Sequence, residues 1–114
     1  MSPWLAGFVG DANVLPGRAD GGSADTALGA VPLRAPANGP VEVLVRPEQV
    51  RLEPGGEAEV GLVEYYGHDT VYVLDVGGLL VRSREGGVPL HRPGDRVTAV
   101  YAGGPAVAWS EDPR

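Results

Sequence analysis

The chain has 114 residues, nine arginines, no lysine, 15 acidic residues and a net charge of −6. That is one domain's length; the missing lysine excludes Schiff-base chemistry and a P-loop, and the missing cysteine excludes a disulfide framework, a thiolate metal site and a cysteine nucleophile. The acidic balance sets the chain against phosphate backbones, so no nucleic-acid partner is expected.

Glycine (18) and proline (11) make up about a quarter of the chain, while 17 valines and 11 leucines supply branched apolar surface for a core. The joint signature is many short Val-rich strands broken by Gly/Pro turns. Met1 to Gly10 carries no charge. Pro3 after Ser2 suits a first helical turn, with Trp4 and Phe8 on one face at i, i+4 spacing. So apolar a start reads as the end of a longer element, and the chain is expected to be a fragment. With the first basic residue at Arg18, no secretory leader is expected.

Asn13 to Arg18 is a short apolar stretch, and Asp20-Gly21-Gly22 is a turn or hairpin signal. Ala24 to Leu33 reads as a weak strand and Arg34 to Pro40 as a loop. Val41, Val43 and Val45 alternate as one face of a strand. Pro47-Glu48-Gln49 opens at most one helical turn. Pro54-Gly55-Gly56 reads as a turn. In the strand Glu57 to Tyr66, alternation turns Ala58, Val60 and Leu62 inward and Glu57, Glu59 and Gly61 outward. Gly67-His68-Asp69 breaks that strand.

Thr70 to Val76, Gly77-Gly78 and Leu79 to Arg84 form the clearest hairpin in the sequence. Pro93-Gly94-Asp95 is a turn before the strand Arg96 to Ala102, and Ala106 to Ser110 is a last strand. About eight short strands and no long helix predict an all-β fold closed into a small barrel or two packed sheets. The longest uncharged stretch, Val97 to Ser110, is 14 residues, short of the ~20 that a membrane-spanning helix needs.

Candidate chemistry is sparse. Val71 to Asp75 mimics an apolar strand ending in a magnesium-binding Asp, but without a lysine-bearing loop it reads as plain hairpin. His68-Asp69 could be a ligand pair or a base with its orienter; a solvated loop histidine is the better reading for His68, and more so for His91. Arg82 and Arg84, at i, i+2, share one strand face and could hold a carboxylate or an oxyanion, although surface salt bridging fits the 15 acids and nine bases better. Arg46 and Glu48 flank Pro47 and could pair with each other or with a partner surface. Tyr65-Tyr66-Gly67-His68 places two aromatics at a strand end, where alternation predicts one buried and one exposed. Exposed, such a Tyr is a contact for a partner protein.

Four segments in order carry a family likeness. Phe8 to Gly17 (FVGDANVLPG) resembles the stretch that follows the nucleotide-binding domain in ABC-importer ATPase subunits. Val45 to Leu52 (VRPEQVRL) resembles that family's valine–arginine–proline–glutamate segment, Gly61 to Gly67 its strand and following glycine, and Pro93 to Val97 the turn before its closing strands. The chain is thereby similar to the TOBE domain, a transport-associated OB-like barrel at the C-terminus of such subunits. The nearest kin by this likeness are the ferric-iron, spermidine/putrescine, thiamine and sugar importers.

The resemblance implies a barrel over residues 9–110. It makes residues 1–8 the remnant of the last ATPase helix; residues 111–114, beyond the last strand, read by themselves as a frayed tail. It implies a non-catalytic, regulatory part of a cytoplasmic subunit peripheral to the membrane. The second ATP-binding subunit would be its partner through the accessory domains. Permease subunits would be reached through the ATPase domain, and a small regulatory ligand is a further partner. No cofactor is expected in this chain; ATP and magnesium would belong to the upstream domain. The contact residues singled out are Arg46, Glu48, Tyr65, Tyr66 and His68. Arg82 and Arg84 serve the alternative, a free-standing barrel binding an oxyanion such as molybdate.

Overall fold

The computed structural model describes residues 8–110. Within them lie eight strands: β1 (Phe8–Val9), β2 (Ala12–Thr26), β3 (Gly29–Val45), β4 (Val50–Tyr65), β5 (Asp69–Val76), β6 (Leu79–Gly86), β7 (Arg96–Tyr101) and β8 (Ala108–Ser110). A single 3₁₀ turn, Pro47–Gln49, separates β3 from β4. The expected helical remnant and frayed tail fall on residues outside this range, apart from Phe8, which belongs to β1. No helix among the described residues is long and apolar enough to cross a membrane.

The all-β expectation holds, with one correction to its architecture. The backbone ladders do not run round one closed barrel. They form two four-stranded antiparallel sheets, β1-β2-β3-β8 and β6-β5-β4-β7, whose inner faces share one core. Val43, Val45, Val60, Leu74, Val81 and Val97 are wholly buried in it. The alternation of Val41, Val43 and Val45 is therefore the core-facing side of β3, as their spacing predicts.

The β5–β6 hairpin forms where expected. Gly77 and Gly78 have φ of 61° and 91°, both in the left-handed region that a two-residue primed turn demands and that glycine occupies without penalty. The Gly78 amide donates to Asp75 Oδ1 at 2.7 Å, closing the turn.

Elsewhere turn chemistry misleads. Asp20-Gly21-Gly22 lies inside β2, where the register against β3 jumps between Gly21 and Ser23. The hairpin instead closes after Thr26, whose hydroxyl accepts from the Leu28 amide (3.0 Å) and donates to the Gly29 carbonyl (2.9 Å). The expected loop 34–40 is strand, part of β3. Over residues 37–40 it pairs with β2, while β8 pairs only with Val41–Val43; that open side is where a strand tolerates proline.

Pro54-Gly55-Gly56 likewise lies within β4. Both Pro54 and Ala58 oppose Val97 of β7, so the intervening residues bulge and bend the strand. A second bulge between Val60 and Leu62 explains another miss. Ala58 and Val60 point inward, but the skipped residue turns Leu62 outward, 50% exposed.

Side chains cover the edge of β6, one from the other sheet and two of its own. Asn13, fully buried on β2, accepts from the Arg82 amide (2.8 Å) through Oδ1 and donates to the Arg82 carbonyl (3.0 Å) through Nδ2. Ser83 Oγ donates to the Val50 carbonyl (2.7 Å), and Glu85 Oε2 accepts from the Leu52 amide (3.2 Å). The edge of β6 is thus covered by an amide from the other sheet and tied to the bent start of β4. His91 corrects the solvated-loop reading: its ring meets Tyr72 edge-on, with centroids 5.5 Å apart, and the Leu90 amide donates to the Tyr72 hydroxyl.

Two stability measurements follow. Asn13→Ala removes the partner of both the amide and the carbonyl of Arg82 and should lower the unfolding free energy in urea by about 2–4 kcal/mol, while Asn38→Ala, whose Oδ1 accepts an exposed bond, should cost under about 0.5 kcal/mol. Gly56 has φ 139°, and an added Cβ would lie 2.2 Å from Thr98 Oγ1 and 2.7 Å from the Val97 carbonyl oxygen. Gly56→Ala should therefore destabilise by about 2 kcal/mol or more, whereas Gly22→Ala, which meets nothing within 4 Å, should be neutral or slightly stabilising.

Candidate functional site

The second sheet has one face on the core and one on solvent, and register decides what the solvent face presents. Leu62 opposes Val73, which opposes Arg82; Glu64 opposes Val71, which opposes Arg84. Successive side chains alternate, so with Tyr72 and Ser83 buried these two rows point outward together. Acid and leucine stand on β4, valines on β5 and arginines on β6.

The rows floor a groove of about 350 Å³, walled by Tyr66 beyond the end of β4, by Pro47 of the 3₁₀ turn and by Asp11. Pro47 is buried, and Asp11 stands in the β1–β2 turn, two residues before the Asn13 clamp. Val71 is only 7% exposed although it belongs to the outer face. Two carboxylates and two guanidinium groups therefore surround an apolar floor.

Tyr65 and Tyr66 correct the expectation of one buried and one exposed ring. They are 49% and 56% exposed, because β4 ends at Tyr65 and strand alternation ends with it. Tyr65 folds over the turn, its hydroxyl donating to the Gly67 carbonyl at 2.7 Å. The Tyr66 hydroxyl donates to Glu64 Oε1 at 3.2 Å. That hydrogen bond and the Glu64 charge hold the Tyr66 phenol above its ordinary range, with slight burial adding to the rise; Arg84 and Arg82 pull it the other way. Tyr66 thus sits in the field of both arginines and of the acid.

His68 is strongly exposed, its side chain at 84%, and its Nδ1 lies 3.1 Å from Asp69 Oδ1. The other oxygen of Asp69 faces Arg84 Nε at 3.5 Å. Nothing there excludes water from a reacting atom, so the trio orients the Arg84 side chain at the rim. Among the described residues no group of three or more His, Cys, Asp or Glu side chains could hold a metal ion. Arg46 and Glu48 are exposed on either side of Pro47 and form no ion pair with each other. The local turn is held by the Arg46 amide donating to Gln49 Oε1 and the Gln49 amide to the Arg46 carbonyl.

Of the seven residues singled out from the sequence, the fold brings Tyr66, Arg82 and Arg84 into one groove. Tyr65 and His68 belong to the adjoining turn, while Arg46 and Glu48 flank the wall without lining it. Glu64, Val71 and Asp11 were missed. The first two could have been found by extending the Gly77-Gly78 register across three strands; nothing local marks Asp11.

The Tyr66 environment gives a direct test. Glu64→Gln removes the dominant cause of the raised phenol, so the Tyr66 ¹³Cζ titration should move to lower pH. A Tyr66 midpoint unchanged by the substitution would contradict the 3.2 Å contact.

Comparison with known proteins places this architecture. The sequence profile described as the TOBE domain matches residues 43–108, the span from the core end of β3 through the groove to β8. The chain is 38% identical over 114 aligned positions to the Fe(3+) ions import ATP-binding protein FbpC 1 of Rhodococcus jostii, covering 91% of this chain and 33% of that protein. It is 34% identical over 128 positions to the spermidine/putrescine import ATP-binding protein PotA of Rubrobacter xylanophilus, covering 97% of this chain and 32% of that one. The chain thus spans about a third of the length of the curated relatives it matches. With the profile covering more than half of its residues, the chain belongs to the TOBE domain family.

Proposed function

We propose that this chain serves as the non-catalytic accessory domain of an ABC importer's ATP-binding subunit, contributing subunit contact and regulation of import. The observation that carries the reading is the collinear likeness to two import ATP-binding proteins over nearly the whole chain, together with its one-third share of their length. The outer face adds to it. The groove is an open, two-sign surface, a geometry suited to recognition, and its ionisable groups stand in water where acid–base work gains little.

On this reading ATP and magnesium belong to a nucleotide-binding domain in the same polypeptide, which also meets the permease at the cytoplasmic face of the membrane. The accessory domain meets its counterpart on the second ATP-binding subunit. Arg46, Glu48, Tyr65, Tyr66 and His68 are its contact residues: all five are exposed, the first two beside Pro47 and the others at the β4–β5 turn, where Tyr66 also walls the groove.

An antibody raised against the chain tests the proposal in extracts of the source cells. The expected band is a polypeptide about three times the chain's length, in line with the shares covered in the relatives, whose tryptic peptides include a P-loop sequence. A free species of this chain's own size as the sole band would overturn it.

A further inference from the structure

We infer that the groove on the outer face of β4–β5–β6 binds a small zwitterion with an apolar middle, of the ω-amino carboxylate class. The inference concerns this face alone and stands apart from the subunit-contact reading, since it needs no second copy.

Strand order sets the spacing. Glu64 on β4 and Arg84 on β6 flank Val71 on β5, and adjacent strands lie ~4.8 Å apart, so the acidic and basic rows are separated by about 10 Å at the backbone. Between them runs a floor of Val71 and Val73, bordered by Leu62. A ligand that complements this pattern carries a cation at one end, methylenes in the middle and a carboxylate at the other end.

Each end has its own chemistry. At the β4 side, the Glu64 carboxylate is held by the Tyr66 hydroxyl at 3.2 Å, and the Tyr66 ring walls the same space. A carboxylate beside an exposed aromatic ring suits an ammonium group, which gains from both the charge and the ring's negative face. At the β6 side, Asp69 approaches Arg84 from Nε at 3.5 Å, orienting the planar fork that matches carboxylate geometry.

The balance of charge decides between ligand classes. Arg82 and Arg84 are countered by Glu64 and Asp11 in the same lining, and Arg84 also by Asp69 at the rim, so a simple oxyanion meets at least as much repulsion as attraction. A ligand of zero net charge can instead set each of its ends against the opposite sign. The volume, about 350 Å³, falls at the small end of ligand sites, which span ~300–1,000 Å³.

The test is a methyl-detected NMR titration of the full chain with 6-aminohexanoate, in parallel with hexanoate, hexylamine, glycine and molybdate. Saturable shifts at the Val71, Val73 and Leu62 methyls with 6-aminohexanoate are expected, with hexanoate and hexylamine at least ~10-fold weaker, since each lacks one charged contact. Glu64→Gln should weaken 6-aminohexanoate while leaving hexanoate unchanged, and Arg84→Gln should weaken both; unchanged methyl dispersion outside the groove checks that each variant is folded. Absence of saturable shifts with 6-aminohexanoate, or hexanoate or molybdate binding as tightly, would overturn the inference. None of these outcomes bears on the size of the polypeptide in cells, so the two readings fail separately.

Discussion

One buried side chain, Asn13, holds the two sheets in their relation. Its side-chain amide gives an acceptor to the N–H and a donor to the carbonyl of Arg82, on the edge of the other sheet. An exposed strand edge is a row of unpaired groups ready to pair with another chain, and a buried edge without partners costs heavily. Asn13 resolves both at Arg82: it satisfies the buried point of the edge without extending the ladder, so β6 stays the last strand of its sheet. Within its own sheet β6 is tied on by its side chains, Ser83 to the Val50 carbonyl and Glu85 to the Leu52 amide at the start of β4. What a closed barrel would achieve with backbone pairing is achieved here by three side chains on or against β6.

The groove follows from that arrangement. Clamping the backbone at Arg82 fixes the height of β6 against β2, which carries the β1–β2 turn and Asp11 to the groove wall. The link between β6 and the start of β4 brings the 3₁₀ turn, with its buried Pro47, to another side. The two β4 bulges then set what the outer face displays. The first bends the strand so that its two halves pair differently along β7; the second turns Leu62 out beside Val73. Recognition chemistry on this domain is thus a consequence of how an open sheet edge is sealed.

The legible parts of the fold are those whose cause is local. Gly77-Gly78 demands positive φ at two adjacent residues, and the sequence around it alternates cleanly, so the β5–β6 hairpin could be read residue by residue. Val41, Val43 and Val45 announce a buried face for the same reason. The 3₁₀ turn at Pro47 and the family likeness over the strands beyond it were equally readable. Asp20-Gly21-Gly22 and Pro54-Gly55-Gly56 carry the same turn residues, yet tertiary pairing absorbs both into long strands as irregularities. Only a partner strand distinguishes a bulge from a turn. Asn13 was illegible because its partner lies 69 positions away. Tyr66 and Arg84 were noticed singly, whereas their convergence with Glu64 required the register of three strands.

The central claim, that the Asn13 amide seals the β6 edge, is tested most directly by amide hydrogen exchange at Arg82. Its N–H points away from β5 toward Asn13 Oδ1 at 2.8 Å, so no ladder protects it. The account predicts exchange as slow as at Val81 and Ser83, limited by global unfolding. Exchange at the rate of an open strand edge, with Val81 and Ser83 still protected, would contradict it.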